Sequence, residues 1–113
     1  MRLVTVPLSK IAKARSGDKG GHVNIGLIAN NKAIYDYLKT YLKSDKVAAH
    51  FAAVNPQKVI RYDLDNLEAF NFMLYNVLEG GGSLSLRIDS QGKTFGQALL
   101  LLNVEVPDIL VGE

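Results

Sequence analysis

The stretch Ala14-Arg15-Ser16-Gly17-Asp18-Lys19-Gly20-Gly21-His22-Val23-Asn24-Ile25-Gly26 sets more polar chemistry beside more backbone freedom than any other part of the 113-residue chain. Arg15 and Lys19 carry positive charge, Ser16 offers a hydroxyl, and a glycine-rich turn can aim several backbone N–H groups at one anion. The pattern is neither of the common phosphate loops. It lacks G-x-x-x-x-G-K-[ST] and G-x-G-x-x-G, and it leads into a strand rather than a helix. A turn with positive φ accounts for Gly17 and Gly20, and Asp18 can cap such a turn or pair with Arg15 or Lys19. A turn does not require Arg15 and Lys19, so the expectation is that Arg15, Ser16, Gly17, Asp18, Lys19 and Gly20 recognise a ligand or a partner. Asp18 with Lys19 is the obvious acid–base pair here, and neighbouring residues on a loop are poorly preorganised for catalysis. No catalytic residue is therefore assigned to the isolated chain.

Other chemistry is sparse. The two histidines, His22 and His50, stand in no H-x-H or H-x-x-x-H spacing, and cysteine is absent. No metal site and no cofactor are expected. His50 lies among Ala48, Ala49, Phe51 and Ala52, a packing environment. Ser16 with His22 forms no nucleophile elbow. Gly80-Gly81-Gly82 exceeds the single glycine that a helix end needs, which adds Gly81 to the candidate contact residues.

Composition narrows the class. A chain of this length with nearly half its residues hydrophobic is one folded domain, 1–113. The lack of cysteine favours a reducing, cytoplasmic setting. The start, Met1-Arg2-Leu3-Val4-Thr5-Val6-Pro7, is too short and interrupted for a signal peptide. The longest apolar run, Ala98 to Leu102, is too short to cross a bilayer, so no membrane partner is expected. Net charge is +2, too mild to argue for nucleic acid. Lys10, Lys13, Arg15 and Lys19 nevertheless cluster against the single acid Asp18, which suits a small anion. No internal repeat or low-complexity segment is visible.

The elements that must position these residues follow from periodicity. Residues 2–8 read as an edge strand, since Pro7 lacks an N–H donor, and Ser9 to Gly21 as mostly loop. His22 to Ala29 is a strand with Val23, Ile25, Leu27 and Ala29 on one face and His22, Asn24, Gly26 and Ile28 on the other. Asn30 or Asn31 caps a helix over about 31–43, with Ile34, Leu38, Tyr41 and Leu42 as its core stripe. A short helix holding Val47, Phe51 and Val54 follows Ser44 or Asp45. Lys58 to Leu64 alternates as a strand. Leu67 to Leu78 reads as a second long helix, Leu84 to Asp89 as a strand, and residues 95–104 mainly as the returning arm of a hairpin; Leu99 to Leu102 fits a helix as well. Two main helices with four or five strands predict an α+β fold: a two-layer, ferredoxin-like sandwich, its mainly antiparallel sheet covered on one face.

That layout assigns Asn24, Arg61, Asp63, Ser85 and Arg87 to the uncovered sheet face. Such a face is polar either because water touches it or because it holds a ligand or a partner. Gly26 would allow close approach, and Asn71, at the edge of the second helix, would hydrogen-bond a neighbouring loop. The face carries no aromatic residue on its central strands, so sheet-type RNA recognition and a nucleic-acid partner are not expected. Phe72, Met73 and Tyr75 lie off the second helix's core stripe. A helix apolar nearly all round is buried on two sides, which predicts self-association through these three residues or docking of a partner. Arg15, Lys19, Arg61 and Arg87 would alternatively hold a carboxylate or phosphate.

The residues carry a resemblance. Ala14-Arg15-Ser16-Gly17-Asp18-Lys19-Gly20 with Val23-Asn24-Ile25-Gly26 resembles the small C-terminal domain of the AtuA-like proteins, named for acyclic terpene utilisation. His50-Phe51, Val59-Ile60-Arg61-Tyr62, Asn66-Leu67-Glu68-Ala69-Phe70-Asn71-Phe72, Gly80-Gly81-Gly82, Ser85-Leu86-Arg87-Ile88-Asp89, Gln91-Gly92-Lys93 and Gly96-Gln97-Ala98-Leu99-Leu100 agree in order. The resemblance implies a ferredoxin-like fold and a role beside a larger AtuA-like partner in the breakdown of terpenoid or branched acyl compounds, here expected as a separate polypeptide. It transfers no reaction. Two positions depart from it: Gly21 where an acid is expected, which weakens any general-base role for the loop, and Lys13 where relatives are less basic.

Overall fold

Strict alternation organises the centre of the molecule. A computed structural model describes residues 2–19, 22–77 and 94–111 of the chain. In chain order it contains β1 (Leu3–Pro7), β2 (Ala12–Lys19), β3 (His22–Ala29), α1 (Lys32–Tyr41), α2 (Ser44–His50), β4 (Lys58–Leu64), β5 (Ala69–Tyr75), α3 (Thr94–Leu100) and β6 (Asn103–Pro107). β2, β3, β5 and β4 form, in that order, a four-stranded antiparallel sheet, and β1 pairs with β6 in a separate two-stranded sheet. The expected α+β sandwich with helices on one sheet face is present. The separate β1–β6 ribbon is an addition to it.

One face of the larger sheet builds the core. Val23, Ile25 and Leu27 of β3 and Phe70, Phe72 and Leu74 of β5 are all at most 1% exposed. They pack with Ile34, Tyr35, Leu38 and Leu42 of α1, Val47 of α2, and Phe95 and Leu99 of α3. Tyr35 stacks on Phe70 at 4.7 Å between ring centroids. Burying side chains of this size stabilises the fold by about 1.5–3 kcal/mol each. The Asn31 side chain accepts from the Ile34 backbone N–H at 2.9 Å, so of the two N-caps that the sequence allows, Asn30 and Asn31, the second is used. Val47, Phe51 and Val54 turn inward as expected, and Asn55 ends that segment in a left-handed conformation, φ 46°.

Three elements differ from expectation. The helix expected over Leu67–Leu78 is not formed by its described residues, 67–77: a turn at Asp65–Leu67 and Glu68 at φ 53° reverse the chain, and Ala69–Tyr75 returns as β5 against both β3 and β4. Phe70 and Leu74 satisfy a helical and a strand period equally. Phe72 decides between them, since it is fully buried and the helical stripe leaves it out. Phe72 therefore belongs to the core and is no surface for self-association, while Met73 and Tyr75 alternate onto the other face. Second, the described part of Ser9–Gly21, residues 9–19, is not mostly loop. After a turn at Leu8–Lys10 the chain runs as β2, with Lys19 opposite His22. Its inward Ala12, Ala14 and Ser16 are small because α3 lies close against them: a Cβ on Gly96 would stand 3.3 Å from the Arg15 carbonyl carbon and from Ser16 Oγ. Third, residues 95–104 are mainly α3, with β6 beginning at Asn103, so the helical alternative for Leu99 prevails.

The strand expected at 84–89, the glycine run including Gly81, and Gly20 and Gly21 lie outside the described residues. No helix among the described residues is long and apolar enough to cross a membrane.

Candidate functional site

The sheet order fixes the outward face residue by residue. Across the four strands run Lys13 and Ile28 to Leu64; Arg15, Gly26, Asn71 and Tyr62; Gly17, Asn24, Met73 and Ile60. Ile28 and Tyr62 are each 45% exposed and Leu64 is 40% exposed. At the centre the Asn24 side-chain Nδ2 donates to the Asn71 side-chain Oδ1 at 2.7 Å. This pair replaces the loop contact expected of Asn71, and it puts both asparagines on central strands of one face. Gly26 leaves a gap beside them, because a Cβ there would meet nothing nearer than the Arg15 carbonyl oxygen at 4.0 Å.

The expected constellation therefore assembles only in part. Arg15, Gly17, Asn24 and Asn71 share the open face, with Arg15 exposed. Ser16 points the other way and accepts from the Gly96 backbone N–H at 2.9 Å, so its role is to tie α3 to β2. Asp18 and Lys19 continue β2 opposite Val23 and His22. Ser85 and Arg87, like Gly20 and Gly81, lie outside the described residues.

Arg61 and Asp63 are a correction. They sit in register with Phe72 and Phe70, on the helix-covered face. Arg61 Nη1 donates to the carbonyls of Lys39 and Leu42, each at 2.9 Å. Its Nε meets Asp63 Oδ1 at 2.7 Å, and the guanidinium lies 5.0 Å from the Phe70 ring centroid. Helix ends leave carbonyls without intrahelical partners, and Arg61 supplies those of α1. It cannot close on a ligand with Arg15, which faces the opposite side of the sheet. Ile60, Tyr62 and Leu64 take the outward positions in its place.

The open face also carries aromatic residues. Tyr62 lies on β4 and Tyr75 on the central strand β5, and a hydrogen bond with Tyr75 raises the Tyr62 hydroxyl pKa. The ground on which sheet-type RNA recognition was excluded does not hold. Cations border the face, Lys13 and Arg15 from β2 and Lys58 from β4, and no acidic side chain of the described strands points onto it. Sequence reasoning set Ile28 beside Asn24 and Gly26 on the outward side of β3 but missed Tyr62, Leu64 and Tyr75 as face residues; with β5 misread as a helix, nothing decided which side of β4 faced out.

A second polar cluster sits where β4 turns into β5. Asp65 accepts from the Tyr35 hydroxyl and, at 2.9 Å, from Lys39 Nζ. Those two hydrogen bonds, Tyr35's first, hold the Asp65 carboxyl below its ordinary pKa. Burial, then the bond to Asp65, pushes Tyr35 well above the usual tyrosine range. The cluster fastens α1 to the turn. Among the described residues, no three His, Asp or Glu side chains are grouped to hold a metal ion.

The family model of the AtuA ferredoxin-like domain matches residues 6–105. Neither a search of curated proteins nor a search of solved structures returns a match.

Proposed function

This chain belongs to the AtuA ferredoxin-like domain family, and we propose that it is an accessory, non-catalytic module that docks a larger AtuA-like partner through the open face of its four-stranded sheet. The work of that complex would be the breakdown of acyclic terpenoid or branched acyl compounds, the context in the family's name. One observation carries the docking reading. A sheet face turned to water alternates polar residues outward, yet this one exposes Ile28, Tyr62 and Leu64 around a hydrogen-bonded Asn24–Asn71 pair. Apolar side chains ringed by polar ones mark interaction surfaces. The partner's contact patch pairs apolar side chains with Ile28, Tyr62 and Leu64 and acidic ones with Lys13, Arg15 and Lys58.

The test is co-purification of the tagged chain with the larger AtuA-like protein of the same cell. The wild-type chain retains it at equimolar ratio, and Ile28→Glu, which puts a charge among the exposed apolar side chains of the face, loses it while staying folded. Retention of the partner by Ile28→Glu, or a wild-type chain that captures none, overturns the reading.

A further inference from the structure

A small cleft opens where β5 ends and β4 begins. Gln57, Lys58, Tyr75 and Asn76 line it, and its volume is about 300 Å³, at the lower limit of small-molecule pockets. Its polar groups are held in place by one another. The Asn76 backbone, in the left-handed region at φ 51°, donates its N–H to His22 Nδ1 at 3.1 Å. That bond makes Nδ1 the acceptor, so the neutral ring carries its proton on Nε2 and offers a donor there. The Asn76 side-chain amide donates to Gln57 Oε1, which leaves Gln57 with its two N–H donors to offer. The His22 ring stands edge-on to Tyr75 at 5.3 Å, and Lys58 Nζ lies 5.2 Å above the Tyr75 ring centroid. Among the described residues lining the cleft, Lys58 carries the only charge.

We propose that this cleft binds a small oxyanion, a carboxylate or a phosphate group, held by the Lys58 ammonium and by the Gln57 amide, with His22 beside it. Among the described lining residues the one charge is positive and Lys58 and Gln57 offer N–H donors, the arrangement that charge-assisted hydrogen bonding to an oxyanion requires. The site needs no partner chain and lies at one end of the sheet, away from Ile28. A failed docking test and a failed anion test are thus separate results.

The experiment titrates the 15N-labelled chain with inorganic phosphate in one arm and with propionate in the other, at constant ionic strength. Saturable shifts of the Gln57 and Asn76 side-chain amides with either probe support the site, and the arm that saturates identifies the anion. Lys58→Met, at an exposed edge position, weakens that affinity about tenfold, one charged contact's worth. Gln57→Glu, which puts a carboxylate in the cleft, abolishes saturation, and Lys32→Met, at an exposed position of α1, leaves it unchanged. Shifts that stay linear in both arms, or saturation that survives Lys58→Met and Gln57→Glu, overturn the proposal.

Discussion

Replacing Arg61 by alanine should unfold the protein more readily without touching its recognition surface. The guanidinium makes two hydrogen bonds to carbonyls at the end of α1, each at 2.9 Å, and its side chain is only 15% exposed. Bonds from a charged donor contribute about 1.5 kcal/mol each at the low end, and the carbonyls lose their partner, so the loss is about 3 kcal/mol. For a domain of this size that lowers Tm by about 12 °C. Arg61→Lys keeps the charge but not the fork, and should fall about half as far. The assay is thermal unfolding followed by far-UV circular dichroism, with partner binding of the folded variant measured well below Tm. A Tm within about 3 °C of wild type, together with lost binding, would refute the assignment of Arg61 to the helix end and return it to a ligand role.

Further outcomes follow from the same contacts. Gly96→Ala should cost about 1–3 kcal/mol in urea unfolding, because its Cβ meets the β2 backbone at 3.3 Å and α3 must shift. Phe72→Ala should cost about 3–5 kcal/mol by the same method, whereas Met73→Ala, on the open face, costs far less; equal costs would contradict the strand. Asp65 has a folded-state pKa below its ordinary value, so its contribution is present above about pH 4 and is lost as pH falls through the folded value. Urea midpoints at neutral and at acid pH should show a smaller acid-side drop in Asp65→Asn than in wild type. Tyr35 is shifted the other way, so its contribution holds below about pH 10 and fades as pH rises beyond it, a fall that Tyr35→Phe should reduce.

How far the sequence foretold this structure can be seen strand by strand. β3 was legible because large β-branched and aliphatic residues alternate with polar or small ones, and α1 because Asn31 and the Ile34–Leu38–Leu42 stripe agree. β4 was legible in extent but not in orientation. By bulk, Ile60, Tyr62 and Leu64 look like the buried set, yet the covered side needs Arg61 to satisfy the end of α1. β5 was hidden because Phe70 and Leu74 fit either period, and the reversal before it rests on Glu68 in a left-handed conformation that glutamate seldom adopts. β2 was hidden because its inward residues are small, fitted to an approach by α3 that only Gly96 hints at. The site inherited these errors. Arg15, Gly17, Asn24 and Asn71 reach the same face, while Arg61 and Ser16 turn inward to hold the fold together.

The most direct test of the open face as the docking surface is methyl cross-saturation in a complex with the larger AtuA-like protein. With that partner irradiated, the methyl signals of Ile28, Ile60, Leu64 and Met73 should lose intensity, and those of Leu38 and Leu99, buried on the inner sides of α1 and α3, should not. Saturation arriving instead at Leu101 or Ile109, which are exposed elsewhere on the molecule, would contradict the account.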